Sequence, residues 1–203
     1  MSLIDLSILN QSAPSPQAEK NLFAEKDKRK AWEKEKLARC DFQKQVKILH
    51  RPGFYFISVW NKSVKGRTLT DIKGDDAMIP FFATHVTELI TDTIGDNLRN
   101  GTWAIVATPK RRHLTHNFAS LIAEEIGKRL GIPFYDDCAH ARTRERVNAV
   151  FTANNIPAEQ NIIVFDDFVT TGSTIIAMKN LLDSLGKTSV YFIGINNHLS
   201  NGY

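Results

Sequence analysis

The apolar positions of this chain change rhythm along its length. From Gln17 to about His50 strong helix formers run without an internal glycine or proline, which predicts one long helix. Its early apolar positions, Leu22, Phe23 and Trp32, are sparse, whereas Phe42, Val46 and Leu49 recur at helical spacing. The second half is therefore expected to pack on the rest of the chain and the first half to be solvated. Ser15 suits the cap, Pro16 the first turn, and Pro52-Gly53 the stop. The aromatic and β-branched run Phe54-Tyr55-Phe56-Ile57-Ser58-Val59-Trp60 predicts a strand, followed by a polar loop from Asn61 to Asp76. A helix follows from about Pro80 to Leu98 with Phe81, His85, Leu89 and Ile90 on one face, and Gly101 closes it.

Beyond that point strand and helix alternate. Trp103-Ala104-Ile105-Val106-Ala107 reads as a strand, His116–Leu130 as a helix with Phe118, Ile122, Ile126 and Leu130 at steps of four. Ile132–Tyr135 is a short strand, Ile162-Ile163-Val164-Phe165 a strand covered on both faces, Thr174–Leu185 a helix and Val190–Ile195 a last strand. The expected fold is α/β: a parallel sheet flanked by helices, with ligands at the carboxyl ends of the strands and a helical N-terminal extension. The expected division is an extension over residues 1–76 and a core over 77–203.

Composition changes this picture little. Across 203 residues, 42% are hydrophobic and 24% charged, ordinary for a soluble chain with a real core. No stretch is apolar for the length of a membrane span, and no basic segment precedes the first few apolar residues as in a secretory signal. Two cysteines, Cys40 and Cys138, are too few for a disulfide framework, so a cytoplasmic setting is expected. Charge is uneven: residues 1–75 carry 15 Lys/Arg against 9 Asp/Glu, and the remainder 11 against 13. The basic excess permits a nucleic-acid contact through the N-terminal helix, although Glu and Lys alternate there as on a solvated helix.

The chemistry is concentrated in Val164-Phe165-Asp166-Asp167-Phe168-Val169-Thr170-Thr171-Gly172-Ser173-Thr174. A buried strand runs into two carboxylates, and small residues then open a helix. Backbone N–H groups at such a helix start cradle a phosphate, the hydroxyls of Thr170, Thr171, Ser173 and Thr174 add donors, and Gly172 permits the tight path. The acids repel phosphate, so Asp166 and Asp167 are suited to sugar hydroxyls or a divalent cation. Phosphate at one end and hydroxyls at the other describes a ribose 5-phosphate. The segment lacks the frame and lysine of a Walker loop and the further glycines of a dinucleotide fingerprint.

This segment resembles the 5-phosphoribosyl-1-pyrophosphate (PRPP) motif of type I phosphoribosyltransferases. Arg146-Val147-Asn148 with Phe151, Pro109-Lys110-Arg111-Arg112, and Asn117-Phe118 resemble the ComF-like branch. The resemblance spans about Pro80 to Asn196. It implies that Asp166 and Asp167 bind the ribose hydroxyls, directly or through magnesium, and that Thr170, Thr171, Gly172, Ser173 and Thr174 hold the 5-phosphate. It puts Thr108, Pro109, Lys110 and Arg111 on the pyrophosphate, and Arg142, Arg144 and Arg146 on a flap that closes over PRPP, with Arg144 beside the reacting centre. Phe168 and Val169 become candidates to touch the acceptor base, together with the tail from Asn196 to His198. Thr170 stands where hypoxanthine-guanine enzymes carry an Asp, which argues against 6-oxopurine salvage. Two functions remain open on these residues: magnesium-dependent transfer of a phosphoribosyl group to a nucleobase, or a PRPP- or nucleotide-binding accessory protein of nucleic-acid metabolism. A homodimer is the expected assembly.

Overall fold

The computed structural model of the chain describes residues 44, 46–61, 75–109, 117–141 and 150–196. Among them, six strands form one sheet in the order β1-β2-β8-β7-β3-β4: β1 Lys47–Arg51, β2 Phe54–Asn61, β3 Trp103–Ala107, β4 Phe134–Tyr135, β7 Asn161–Val169 and β8 Thr188–Asn196. All neighbours run parallel except β1 and β2, which form an antiparallel hairpin. A small separate ribbon pairs β5 (Ala139–Ala141) with β6 (Phe151–Ala153). Helices α1 (Ile79–Ile94) and α2 (Phe118–Leu130) cover one face and α3 (Ser173–Ser184) the other. The α/β fold with a mostly parallel, helix-flanked sheet is as expected.

Alternation along the strands explains the two cores. Ile163, Phe165 and Phe192 face α1 and α2, where Phe82, Val86, Ile90, Ile122 and Ile126 are buried. Ile162, Val164 and Ile193 face Ile175, Met178 and Leu182 of α3. The buried face of α1 is centred on Phe82, Val86 and Ile90. Phe81 and His85, expected on one face with Leu89 and Ile90, lie half-buried beside it, where Phe81 stacks on Trp60 with centroids 5.3 Å apart.

Two elements differ from the sequence reading. The helix expected to reach His50 gives way to β1, and Ile48 there is 74% exposed. The Lys- and Glu-rich composition favours helix locally, but pairing of Lys47–Arg51 with Phe54–Ser58 through the Pro52-Gly53 turn decides the outcome. The earlier part of that expected helix lies outside the described residues, as does the loop at 62–74. The second difference is that β7 continues through both acids to Val169. Its ladder with β3 ends at Phe165 opposite Ala107, while β8 keeps pairing as far as Asn196.

A shared irregularity crosses three strands. Register runs Ser58↔Ile193 and then Trp60↔Ile195 between β2 and β8, and Asp166↔Ile193 and then Phe168↔Ile195 between β7 and β8. Val59, Gly194 and Asp167 are passed over in a row. Two rungs above Ile193 alternation would return side chains to the α3 face, yet Trp60, Ile195 and Phe168 lie on the α1–α2 face. The register is the same on either side of the row, so the three strands break their alternation together and each side chain beyond it turns to the other face.

Candidate active site

The sheet order sets the place. From β3 the chain moves outward to β4, then returns to the other side of β3 as β7, so the switch lies between β3 and β7. In open α/β sheets the crevice at that point, at the carboxyl ends, is where ligands bind. Here the Thr108 N–H donates to the Phe165 carbonyl at 3.0 Å and closes the ladder, beyond which the strands part. Thr108 and Pro109 emerge on one side, Asp166 and Asp167 on the other.

Asp166 is half-buried, and Asp167, in the row where alternation breaks, is 6% exposed. Gly194 beside it has no room for a side chain: a Cβ would stand 2.9 Å from the Asp167 carbonyl oxygen and 3.0 Å from the Phe82 ring. Phe168 is half-buried against the α1–α2 core, and Val169 is buried on the α3 side. Thr170 and Thr171 are exposed, with the Thr171 hydroxyl 3.4 Å from that of Ser173. Ser173 and Thr174 are partly buried in the first turn of α3. Gly172 caps α3 at φ +82°, a left-handed backbone that favours glycine. Space dictates glycine there as well, since a Cβ would come within 2.5 Å of the Phe54 ring. Having no side chain, Gly172 cannot cap the amides of that first turn, which suits them to an anion.

A polar chain fixes the opposite wall. Asn117 Nδ2 donates to the Thr108 carbonyl at 3.1 Å and to Ser120 Oγ at 3.0 Å, and Ser120 donates to Asp136 at 3.0 Å. It ties the segment after β3 to the start of α2 and the end of β4. Asn117 entered the sequence reading only beside Phe118, and nothing there showed that its amide would turn to Thr108. Lys110 and Arg111, and the flap residues Arg142, Arg144 and Arg146, lie outside the described residues, as does His198.

Asp166 and Asp167 fit magnesium in the way such ions are usually held, by one or two carboxylates with ligand oxygens completing the shell. Among the described residues no group of three or more His, Cys, Asp or Glu side chains could hold a metal by itself. Cys138 is buried in the α3-side core, and that burial pushes its thiol up to about 11, away from the reactive thiolate form. A cavity of about 500 Å³, lined by Ile48, Phe54, Phe56, Lys179 and Tyr191 among others, opens beside the β1–β2 hairpin and not in the crevice. Burial pushes the Tyr191 hydroxyl there up to about 12, leaving it a neutral partner of Ser189. Among the described residues no helix is long and apolar enough to cross a membrane.

No protein-family model matches this chain, and no curated protein matches it. Solved structures do resemble it. Orotate phosphoribosyltransferase from Aeropyrum pernix gives a TM-score of 0.44 at 16% identity over 82% of this chain and 80% of its own. Adenine phosphoribosyltransferase from Saccharomyces cerevisiae gives 0.45 at 13% identity, over 77% and 86%. The adenine enzyme from Leishmania tarentolae gives 0.43 at 15% identity, over 66% and 79%. At these scores the likeness is one of outline, and the chemistry of the crevice rests on this chain's own residues.

Proposed function

We propose that the protein is a phosphoribosyltransferase, moving the 5-phosphoribosyl group of PRPP to a ring nitrogen of a nucleobase-like acceptor and releasing pyrophosphate. The observation that carries this reading is the run at the end of β7. Two adjacent carboxylates follow Phe165 on β7, just past the end of its ladder with β3, and the loop Thr170–Thr174, with Gly172 left-handed, opens α3 a few residues on.

In this reading the amides and hydroxyls of Thr170–Thr174 bind the 5-phosphate, and Asp166 and Asp167 accept hydrogen bonds from the ribose 2- and 3-hydroxyls. Thr108 and Pro109, continued by Lys110 and Arg111, take the pyrophosphate, because lysine and arginine match its anionic oxygens. The acceptor nitrogen donates its electron pair to ribosyl C1 while the C1–O bond breaks, and the pair of that bond leaves with pyrophosphate. The centre passes through a cationic, water-sensitive stage, so Arg142, Arg144 and Arg146 are suited to close the site and stabilise the departing charge. Magnesium, held by Asp166 and Asp167 together with ligand oxygens, would supply neutralisation of the pyrophosphate. Catalysis is then mainly positioning and electrostatics.

Thermal unfolding with PRPP, in magnesium and again in chelator, tests the reading. At a hundredfold excess over the dissociation constant the ligand stabilises by about 2.7 kcal/mol, a rise of roughly 5–11 °C for a chain of this size. A magnesium-dependent rise larger than that with ribose 5-phosphate supports transfer chemistry. Joint replacement Asp166→Asn and Asp167→Asn should abolish turnover with the fold kept; near-normal rates would overturn the ribose assignment. A rise with nucleotides alone, and none with PRPP, would instead favour the ComF-like accessory role.

A further inference from the structure

The β1–β2 hairpin closes one side of the sheet, β2 parallel to β8 and β1 antiparallel at the edge, and its Arg51 reaches the last residue of β8. Arg51 pairs with Phe54 across the hairpin, so both side chains share the α3 face. The Arg51 guanidinium lies over the Phe56 ring, 5.5 Å from its centroid. Its Nη1 donates to the His50 carbonyl at 3.2 Å and its Nη2 to Asn196 Oδ1 at 3.0 Å. Asn196 is buried at the end of β8, opposite Val169. Phe54 is the ring against which Gly172 packs. Arg51 is thus bracketed by the floor of the Thr170–Thr174 loop and by the last residue of the strand beside it.

Its hydrogen bonding is incomplete. Arg51 Nε is sealed from solvent and, among the described residues, has no partner. Ser58, two positions beyond Phe56 and fully buried, also has an unpartnered hydroxyl. Buried donors are normally satisfied, and each exception calls for an occupant or a function. The Nε and Nη2 edge of a guanidinium is the edge that takes a planar oxyanion in two parallel hydrogen bonds. Packing on Phe56 and the bond to Asn196 hold that edge in a fixed attitude, the preorganisation such recognition needs.

We propose that Arg51 is an oxyanion-binding residue of the candidate site, with Asn196 as the residue that positions it. The proposal rests on the phosphoribosyl reading for its choice of ligands. The oxyanion has two sources in that chemistry, the 5-phosphate of the ribosyl donor or a carboxylate on the acceptor ring.

The test uses the full chain and the variants Arg51→Gln and Asn196→Asp. The second keeps the arginine but sets a carboxylate against it, which should occupy the same edge. Circular dichroism and unfolding temperature establish that each variant is folded, and calorimetric titration then measures ribose 5-phosphate, orotate, adenine and inorganic phosphate. Loss of roughly tenfold or more in ribose 5-phosphate affinity in both variants assigns the residue to the phosphate. The same loss for orotate alone, with adenine unaffected, assigns it to an acceptor carboxylate. Wild-type protein that binds inorganic phosphate through Arg51 but no ribosyl ligand would keep the proposal and remove the phosphoribosyl reading. Unchanged affinities in folded variants, or no binding of any oxyanion by the wild type, would overturn the proposal.

Discussion

Replacing Gly194 with alanine isolates the corner that aims Asp167. The backbone at Gly194 is not left-handed, so conformation does not require glycine; space does. The added Cβ would sit 2.9 Å from the Asp167 carbonyl oxygen and 3.0 and 3.1 Å from two Phe82 ring carbons. Real Cβ atoms essentially never come within 3.0 Å of such neighbours, so something must move. The ring can tilt by a few tenths of an ångström, but the carbonyl belongs to a strand paired with β8 on either side of the row. Overpacking of this kind costs about 1–3 kcal/mol. The loss of backbone freedom in the unfolded chain returns about 0.4–1 kcal/mol.

The net expectation is a loss of about 1–2 kcal/mol, a fall in unfolding temperature of roughly 2–8 °C. Because the strand must give way at Asp167, the ligand-induced rise with PRPP should shrink more than general destabilisation explains. Adding Phe82→Leu removes the ring contact but not the carbonyl contact. The double variant should therefore be more stable than the sum of the single changes by about 0.5 kcal/mol or more, with ligand response still impaired. Calorimetry of the four proteins, with and without PRPP, reads both quantities. An alanine variant as stable as the wild type, with a full ligand response, would refute the claim that Gly194 sets Asp167 by close approach.

Asn117→Ala removes the amide that joins Thr108 to Ser120. Stability should fall by about 1–2 kcal/mol, and titration should show PRPP affinity falling more than ribose 5-phosphate affinity, because the loosened segment leads into the pyrophosphate positions. A second expectation concerns alkali. Burial raises Cys138 from 9.0 to about 11 and Tyr191 from 10.0 to about 12. The unfolded chain loses these protons first, so the stability they contribute is complete below pH 9 and is lost as pH rises through the folded values. Each should account for about 2–3 kcal/mol by pH 12. Denaturant midpoints from pH 8 to 12 should decline from about pH 9, and Cys138→Ala should delay the onset; a flat profile would contradict the burial argument. Peptide mapping after alkylation at pH 7.5 should find Cys138 unmodified in the native protein.

The sequence reading succeeded where apolar residues were dense enough to need two covered faces, as in Trp103–Ala107 and Ile162–Phe165, and where small residues announced a helix start, as at Thr170–Thr174. It failed where strand pairing, rather than local composition, decides the conformation. Lys47–Arg51 is strand only because Phe54–Ser58 turns back on it, and with the segment read as helix the inward side chain of Arg51 was invisible. The length of β7 was hidden for a related reason. Two carboxylates interrupt the apolar run, and only the continued ladder from β8 keeps Asp166–Val169 extended. One signal was present and not taken: a glycine within Val190-Tyr191-Phe192-Ile193-Gly194-Ile195 marks a bulge or a close backbone approach. Its significance is legible only in three dimensions, where it stands in one row with Val59 and Asp167. The acids of the motif could be read as chemistry, but their aim is a property of the sheet. A carboxylate at the end of a regular strand would follow strict alternation, whereas in a row where alternation breaks its setting depends on neighbours in β8 and α1, Gly194 and Phe82, residues that carry no chemistry of their own.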